Sequence, residues 1–161
     1  MDFRPLHKHR IMRALEIELN TFIGQSYLLL KAIPESEMSV KPSPSRWSKK
    51  EIIGHMIDSA QNNIRRFIVA QYEQEPKIVY NQDTWVAVTG YQHYDLDELI
   101  QLWFLINKHL CRIINNIPDE MMERKCITQE AHTLKWLAED YLKHLRHHIH
   151  QVLNLEPVPY P

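Results

Sequence analysis

The chain of 161 residues is 44% hydrophobic and 24% charged, a composition typical of one globular domain, spanning residues 1–161, with a proper hydrophobic core. Its 19 Lys and Arg nearly balance its 20 Asp and Glu, so the formal charge is only −1. This balance gives no general attraction to nucleic acid or to an anionic membrane, and we expect neither as a partner.

Cysteine usage and the N-terminal residues bear on the compartment. Cys111 and Cys126 form neither a Cys-x-x-Cys motif nor a disulfide framework, which fits a reducing cytoplasm. The charged segment Met1–Arg13 lacks the apolar run and cleavage site of a signal peptide. No stretch approaches the roughly 20 apolar residues of a membrane span. We therefore expect a cytoplasmic protein.

The first predicted element is a long amphipathic helix from about Pro5 to Ala32. Its apolar residues recur at alternating spacings of three and four, which places them on one helical face. They are Met12, Leu15, Leu19, Phe22 and Leu29. Pro5 suits the first helical turn, where its missing donor costs nothing. The prolines and serines of Pro34–Trp47 then predict a connection.

The second helix is predicted to begin at Ser48, because Ser48 and Glu51 form a capping-box pattern before an apolar run. The stripe of this helix is Ile53, Met56, Ala60, Ile64, Phe67 and Gln71. A more polar line lies beside it, through Ile52, His55, Ser59, Asn62 and Arg66, and such a line is typical of a solvated helix edge. Gly54 costs stability inside a helix, so its presence predicts that a neighbouring helix or a ligand approaches the backbone there.

A second connection, Glu75–Tyr94, shows no convincing helical period. Its aromatic and β-branched side chains favour burial over disorder. We expect an ordered, aromatic-rich cover over one end of the protein, or aromatic residues that complete the core.

Two further helices follow. Asp95 and Glu98 begin the third in the manner of a capping box, and Asn116 and Pro118 close it. Its register is Leu96, Leu99, Trp103, Ile106, Leu110, Ile113 and Ile117. The segment Asp119–His132 is expected to be irregular, and Thr133 to cap the fourth helix. Four long amphipathic helices without a strand pattern predict an all-α four-helix bundle, with a long second connection able to cross over it.

The fourth helix carries a pair of histidines with metal-ligand spacing. His144 and His148 lie one turn apart on one face, so both imidazoles can point at one spot. They occupy a stripe that otherwise consists of Leu134, Leu137, Tyr141, Val152 and Leu155. The neighbouring His147 and His150 fall off this stripe and are expected to be solvated.

A third ligand is available on the second helix. Sites in helical bundles are built from inward side chains on facing helices, and His55 would complete a set of three with His144 and His148. Three histidines with an open position indicate a catalytic divalent metal site, since a structural zinc closes its fourth position with protein. Imidazoles suit zinc, nickel, copper or iron. The sequence has neither a Glu-x-x-His pair on a predicted helix nor a His-Glu-x-x-His motif. Asp140 either orients His144 or is a solvated carboxylate.

Three segments, taken in order, resemble a known family. They are Arg46–Ser59 (Arg-Trp-Ser-Lys-Lys-Glu-Ile-Ile-Gly-His-Met-Ile-Asp-Ser), Tyr80–Val86 together with Tyr91, and Asp140–His148. Together they resemble the DinB-like superfamily, in particular its YfiT-like branch, over nearly the whole chain. The resemblance implies a four-helix bundle with a crossover connection, a nickel or zinc ion held by His55, His144 and His148, and a homodimer.

The resemblance also implies a choice of activities. Characterised relatives include thiol-dependent transferases and an isomerase that use low-molecular-weight thiols such as bacillithiol or mycothiol, and other members are described as metal-dependent hydrolases. An open metal position can stabilise a thiolate nucleophile or lower the pKa of a bound water. We expect S-transfer to a small-molecule substrate, because the sequence shows no general base beyond the histidines. The expected mouth of the site is Asn62, Arg66, Gln82, Trp85 and Tyr91, unless these are packing or surface residues.

A non-enzymatic protein is the competing class, because a fold does not fix a function. The metal would then be structural or incidental. The tyrosine- and tryptophan-rich second connection would form a partner or dimer surface.

Overall fold

A computed structural model describes residues 10–160, with side chains from residue 12. The helices are α1 (Arg10–Lys31), α2 (Glu35–Met38), α3 (Lys49–Val69), α4 (Gln82–Thr89), α5 (Leu96–Asn115) and α6 (Leu134–Val152), and the strands are β1 (Lys125–Ile127) and β2 (Ala131–Thr133). The four predicted long helices are present as α1, α3, α5 and α6. The predicted start of the first, at Pro5, lies outside the described residues.

Side-chain caps set the beginnings of three of these helices. The Ser48 hydroxyl accepts from the Glu51 N–H, and the Glu51 carboxylate accepts from the Ser48 N–H, so the predicted capping box is confirmed. Asp95 accepts from the N–H of Glu98, and Thr133 from the N–H of Trp136. Each cap satisfies a donor that the first turn leaves free, which explains why these boundaries were readable from the sequence.

The long helices form a four-membered ring in which α1 and α3 each pack against both α5 and α6. At one end, Ser48 and Lys50 at the start of α3 bond to Gln92 and the Tyr94 carbonyl, just before α5. Helices α3 and α5 therefore begin at the same end and run parallel. The second connection must return along the bundle, which confirms the predicted crossover.

The second connection is ordered, but the expectation that it lacks helix was wrong. It contains α4, capped by Asn81 and ended by Gly90 at φ 71°, and then a single 3₁₀ turn at Tyr91–His93. Of the eight side chains in α4 only Val86 is buried, so the sequence contains no apolar stripe from which this helix could have been predicted. The aromatic residues of the second connection do both of what was expected: Tyr91 is buried in the core, whereas Tyr94 remains partly exposed at the surface.

The third connection was expected to be irregular, and this was also wrong. Strands β1 and β2 pair antiparallel, with Cys126 opposite His132. The N–H of Ile78 donates to the Ile127 carbonyl, which joins the second connection to this hairpin. Cys126 is fully buried. The hairpin therefore covers one end of the bundle.

The core shows what approaches Gly54. A Cβ added to Gly54 would lie 2.0 Å from Cδ2 of Tyr91, so a close approach occurs there as expected. A side chain of the second connection makes it, not a neighbouring long helix or a ligand. The Tyr91 hydroxyl donates to Oδ1 of the buried Asp58. Between residues 10 and 160, no helix is long and apolar enough to cross a membrane.

Candidate metal centre

Three histidine side chains meet where α3 packs against α6. One ring nitrogen from each of His55, His144 and His148 lies within 4.8 Å of the others. The ring centroids are 4.5 to 5.1 Å apart, and each pair of rings is close to perpendicular. The i, i+4 spacing on α6 supplies two imidazoles, and the facing helix supplies the third. The structure thus brings together all three predicted ligand residues.

Hydrogen bonds indicate which nitrogens face the common point. Nε2 of His55 and Nε2 of His144 are 3.0 Å apart. Nδ1 of His148 donates to Oε1 of Gln151 at 3.0 Å, because an amide oxygen only accepts, and this leaves Nε2 of His148 with a free lone pair. On the outer side of His144, Nδ1 lies 3.5 Å from the Ser59 hydroxyl. The arrangement therefore presents Nε2 atoms inward.

All three imidazoles are neutral at neutral pH. Burial lowers the pKa of His55 to about 3 and that of His148 to about 4, and the neighbouring histidines add to the effect. The pKa of His144 is well below its usual value for the same reasons. A neutral imidazole is the form that binds a metal, so protons compete little for these nitrogens at neutral pH.

The cluster fits a divalent transition metal. Two nitrogens on a tetrahedral ion with metal–nitrogen bonds of about 2.05 Å lie about 3.3 Å apart, close to the separation between His55 and His144. The donor set is all imidazole, and among the described residues no carboxylate hydrogen-bonds to any of the three rings. Three protein ligands leave a position for a further ligand.

A cavity of about 870 Å³ adjoins the cluster. His144 and His148 form part of its wall, while the more buried His55 lies behind them against Trp47. The rest of the lining comes from other residues of α6, from α3, the second connection and the hairpin, and from residues after α6. Its polar and aromatic members include Asn63, Arg66, Tyr80, Gln82, His132, Trp136, Asp140 and Tyr160. The cavity is large enough for an organic molecule.

Two of the five predicted mouth residues lie on this wall, as does the predicted neighbour of His144. Arg66 donates to the Ile78 carbonyl and to Asn63, so its guanidinium is held at the edge of the cavity. Gln82, the first residue of α4, is also on the wall. Asp140 lies there too, but its carboxylate accepts from the Tyr160 hydroxyl at 2.8 Å and makes no hydrogen bond to His144.

The other three mouth residues lie elsewhere. Asn62 is buried and donates to the Asp58 carbonyl within α3, and it is the next residue, Asn63, that reaches the cavity. Trp85 packs against Tyr80, with ring centroids 5.4 Å apart, and is not on the wall. Tyr91 fills the space over Gly54. Neighbouring residues on a helix point in directions about 100° apart, so a shift of one position decides whether Asn62 or Asn63 faces the cavity.

Sequence reasoning missed other parts of the site. Ser59 was expected on a solvated edge, but it is buried against His144. His147 and His150 are half-buried, and their Nδ1 atoms donate to the carbonyls of Val158 and Glu156. Helix α6 ends at Val152, so Leu155 lies beyond the predicted stripe and is half exposed. Of the contacts around the site that the sequence analysis missed, only that between His148 and Gln151 could have been predicted, because residues three apart on a helix lie on the same face.

The fold and the cluster define a class: a four-helix bundle in which α3 and α5 run parallel, with a three-histidine site suited to a divalent metal. The family model of the DinB superfamily matches residues 24–152, and the chain belongs to that superfamily.

Two relatives agree with this assignment. The chain is 25% identical to a Bacillus licheniformis protein named a "putative metal-dependent hydrolase", and the match covers 86% of this chain and 85% of that protein. The structure resembles YfiT from Bacillus subtilis with a TM-score of 0.73 and 20% identity, over 95% of this chain and 87% of that one. YfiT is described as a probable metal-dependent hydrolase with an unusual four-helix bundle topology.

Proposed function

We propose that this protein is a divalent-metal-dependent S-transferase, in which zinc or nickel held by His55, His144 and His148 activates a low-molecular-weight thiol of the bacillithiol type. The observation that carries the proposal is a purely imidazole cluster that opens onto a cavity sized for an organic molecule. A bound ion would supply Lewis-acid chemistry, lowering the pKa of a thiol that takes the open position.

The charge of the ligand set favours an anionic sulfur. Three neutral imidazoles leave both charges of a divalent ion uncompensated, and Arg66 adds a further positive charge at the cavity edge. Asp140 is the nearest carboxylate along α6, but one of its two oxygens accepts from Tyr160, and neither hydrogen-bonds to a histidine of the cluster. A thiolate would bring the negative charge that the protein does not provide.

The hydrogen bonds of the nearby carboxylates also favour S-transfer over hydrolysis. Attack by a metal-bound water is usually assisted by a base that removes its proton, and a carboxylate beside the metal can serve. Asp58 and Glu51 are the carboxylates within one turn of His55 on α3. Asp58 is fully buried and accepts from Tyr91, and Glu51 accepts from Lys41 and from the Ser48 N–H. A thiol is already acidic enough to lose its proton when coordinated, so it needs no such base.

In the proposed transfer, the thiol loses its proton and the sulfur lone pair forms a bond to an electrophilic carbon of the second substrate. The bond from that carbon to its leaving group breaks, and the leaving group departs with the electron pair. The released proton passes to solvent or to the leaving group, so charge and atoms balance. The residues of the cavity wall hold the two organic molecules in contact.

Hydrolysis remains the second candidate. It is favoured by the descriptions of both relatives as metal-dependent hydrolases and by the presence of Asp140 on the cavity wall, where its carboxylate could act as a base once it is released by Tyr160. In this alternative a water takes the place of the thiol.

The test compares both reactions in one preparation. Protein reloaded with zinc or nickel is incubated with a thiol and a fluorogenic alkyl halide, and separately with an activated ester. The His148→Ala variant removes a ligand, and His109→Ala, an exposed histidine on α5, is the matched control. Metal-dependent thioether formation lost only in His148→Ala supports the proposal. Ester cleavage with the same pattern and no thioether establishes the hydrolase, and neither activity favours a binding protein.

A further inference from the structure

The chain reverses direction directly after the metal-ligand helix. The N–H of Leu155 donates to the His150 carbonyl at 2.9 Å, and the N–H of Asn154 approaches the Gln151 carbonyl at 3.4 Å. Asn154 has φ 54°, the left-handed conformation that asparagine tolerates better than most residues. This pair of bonds is a Schellman motif, and it sends residues 154–160, called here the return segment, back along α6.

Three hydrogen bonds attach the return segment to α6. Nδ1 of His150 donates to the Glu156 carbonyl at 2.8 Å, and Nδ1 of His147 donates to the Val158 carbonyl at 2.7 Å. The Tyr160 hydroxyl then donates to Asp140 at 2.8 Å. Residues later in the return segment pair with residues earlier in α6, so the segment runs antiparallel to the helix. The register is therefore fixed along its length.

Proline placement stiffens the return segment. Pro157 and Pro159 face solvent, while Val158 and Tyr160 between them are half-buried against the helix. Proline restricts φ and has no N–H to leave unpaired, so an extended strand without a sheet partner costs little here. The alternation presents Tyr160 to the bundle in a defined orientation.

Tyr160 thereby reaches the metal centre. Its ring centroid is 5.3 Å from that of His144 and 5.9 Å from that of His147, and it forms part of the cavity wall. We propose that Tyr160 is a substrate-positioning residue, whose ring contacts the carbon body of the thiol while the sulfur occupies the open metal position. This inference rests on the proposed S-transferase function and assigns the return segment to its substrate site.

The contacts explain why a tyrosine would serve. Its hydroxyl is tied to Asp140 on the preceding turn of α6, so the ring is held without help from a ligand. Pre-ordered aromatic surface contributes binding energy at little entropic cost. A thiol with a larger carbon body would gain more from this wall than a small one.

The experiment measures thiol binding to the cobalt-substituted full chain by its absorption spectrum. The probes are N-acetylcysteine, which has a sizeable body, and 2-mercaptoethanol, which has little. The variants are Tyr160→Ala, which removes the ring, and Tyr160→Phe, which keeps it. Tyr72→Ala is the control, because Tyr72 is exposed and does not line the cavity. Metal content is determined for every variant.

We expect Tyr160→Ala to weaken N-acetylcysteine binding about tenfold and 2-mercaptoethanol binding less than about twofold, with the metal content unchanged. Tyr72→Ala should stay close to the wild type. Tyr160→Phe keeps the ring but loses the bond to Asp140 that orients it, so its N-acetylcysteine affinity should lie between those of Tyr160→Ala and the wild type. Equal affinities in Tyr160→Ala and wild type for both thiols would overturn the positioning role alone, as would equal losses for both probes. A wild-type protein that holds cobalt but binds neither thiol would contradict the proposed function and this inference with it.

Discussion

Gln151 accepts a hydrogen bond from Nδ1 of His148 at 3.0 Å, one turn beyond the ligand pair on α6. The amide oxygen fixes the tautomer of His148 and turns its Nε2 toward Nε2 of His55 and His144. The metal centre therefore depends on a partner outside the three histidines, and the dependence is measurable.

Replacing Gln151 by alanine should lower the affinity for zinc roughly 10-fold, in line with the loss of a partner that orients a metal-bound imidazole. The helix should remain intact, since Gln151 is exposed and alanine favours helix. Competition with a chromogenic chelator measures the affinity. Gln101→Ala, an exposed glutamine on α5, should match the wild type, and an unchanged affinity in Gln151→Ala would show that His148 needs no such partner.

Substitution of Gly54 by alanine should destabilise the protein by about 1–3 kcal/mol or more, because the new Cβ would lie 2.0 Å from the Tyr91 ring. Urea unfolding gives the change in free energy. Gly24 is the matched control: it lies inside α1 with nothing within 4 Å of an added Cβ, so Gly24→Ala should stabilise the protein by roughly 0.5–1 kcal/mol. Equal effects of the two substitutions would contradict the close packing of Tyr91.

Asp58 predicts a pH-dependent effect. Burial raises its pKa to about 6 from the ordinary 3.8, although the Tyr91 hydrogen bond opposes the shift. A carboxyl group whose pKa is higher in the folded state favours folding when protonated, so its stabilising effect is lost as pH rises from about 4 to about 6. Asp58→Asn has no such titration, and its amide oxygen can still accept from Tyr91.

Relative to wild type, the metal-free Asp58→Asn variant should therefore be more stable near pH 8, by on the order of 2 kcal/mol, and nearly equal near pH 4. Urea unfolding of both proteins at the two pH values gives this difference, and contributions of the histidines cancel because both proteins contain them. A difference that does not change with pH would show that the Asp58 carboxyl titrates normally.

The sequence allowed prediction of those features that depend on local patterns. Apolar stripes and caps such as Ser48 and Thr133 marked the long helices, and the i, i+4 spacing of His144 and His148 with a facing His55 marked the metal site. Helix α4 could not be predicted because it buries only one side chain. Its conformation depends on packing against neighbouring elements, which the local sequence does not show.

The cavity wall was harder to predict because it depends on tertiary contacts. Asn63 and not Asn62 reaches the cavity, a difference of one residue that no stripe resolves. Tyr160 is placed by the turn at Asn154 and by hydrogen bonds to His147, His150 and Asp140, which no local pattern encodes.

The metal content of purified, untagged protein tests the central claim most directly. Wild type, His55→Ala, His148→Ala and the control His109→Ala are reloaded with zinc or nickel, dialysed and analysed by mass spectrometry. We predict about one divalent ion per chain in the wild type and in His109→Ala, and almost none in the two ligand variants, with all four proteins helical. Full metal stoichiometry in His148→Ala, or no metal in the reloaded wild type, would contradict the three-histidine centre.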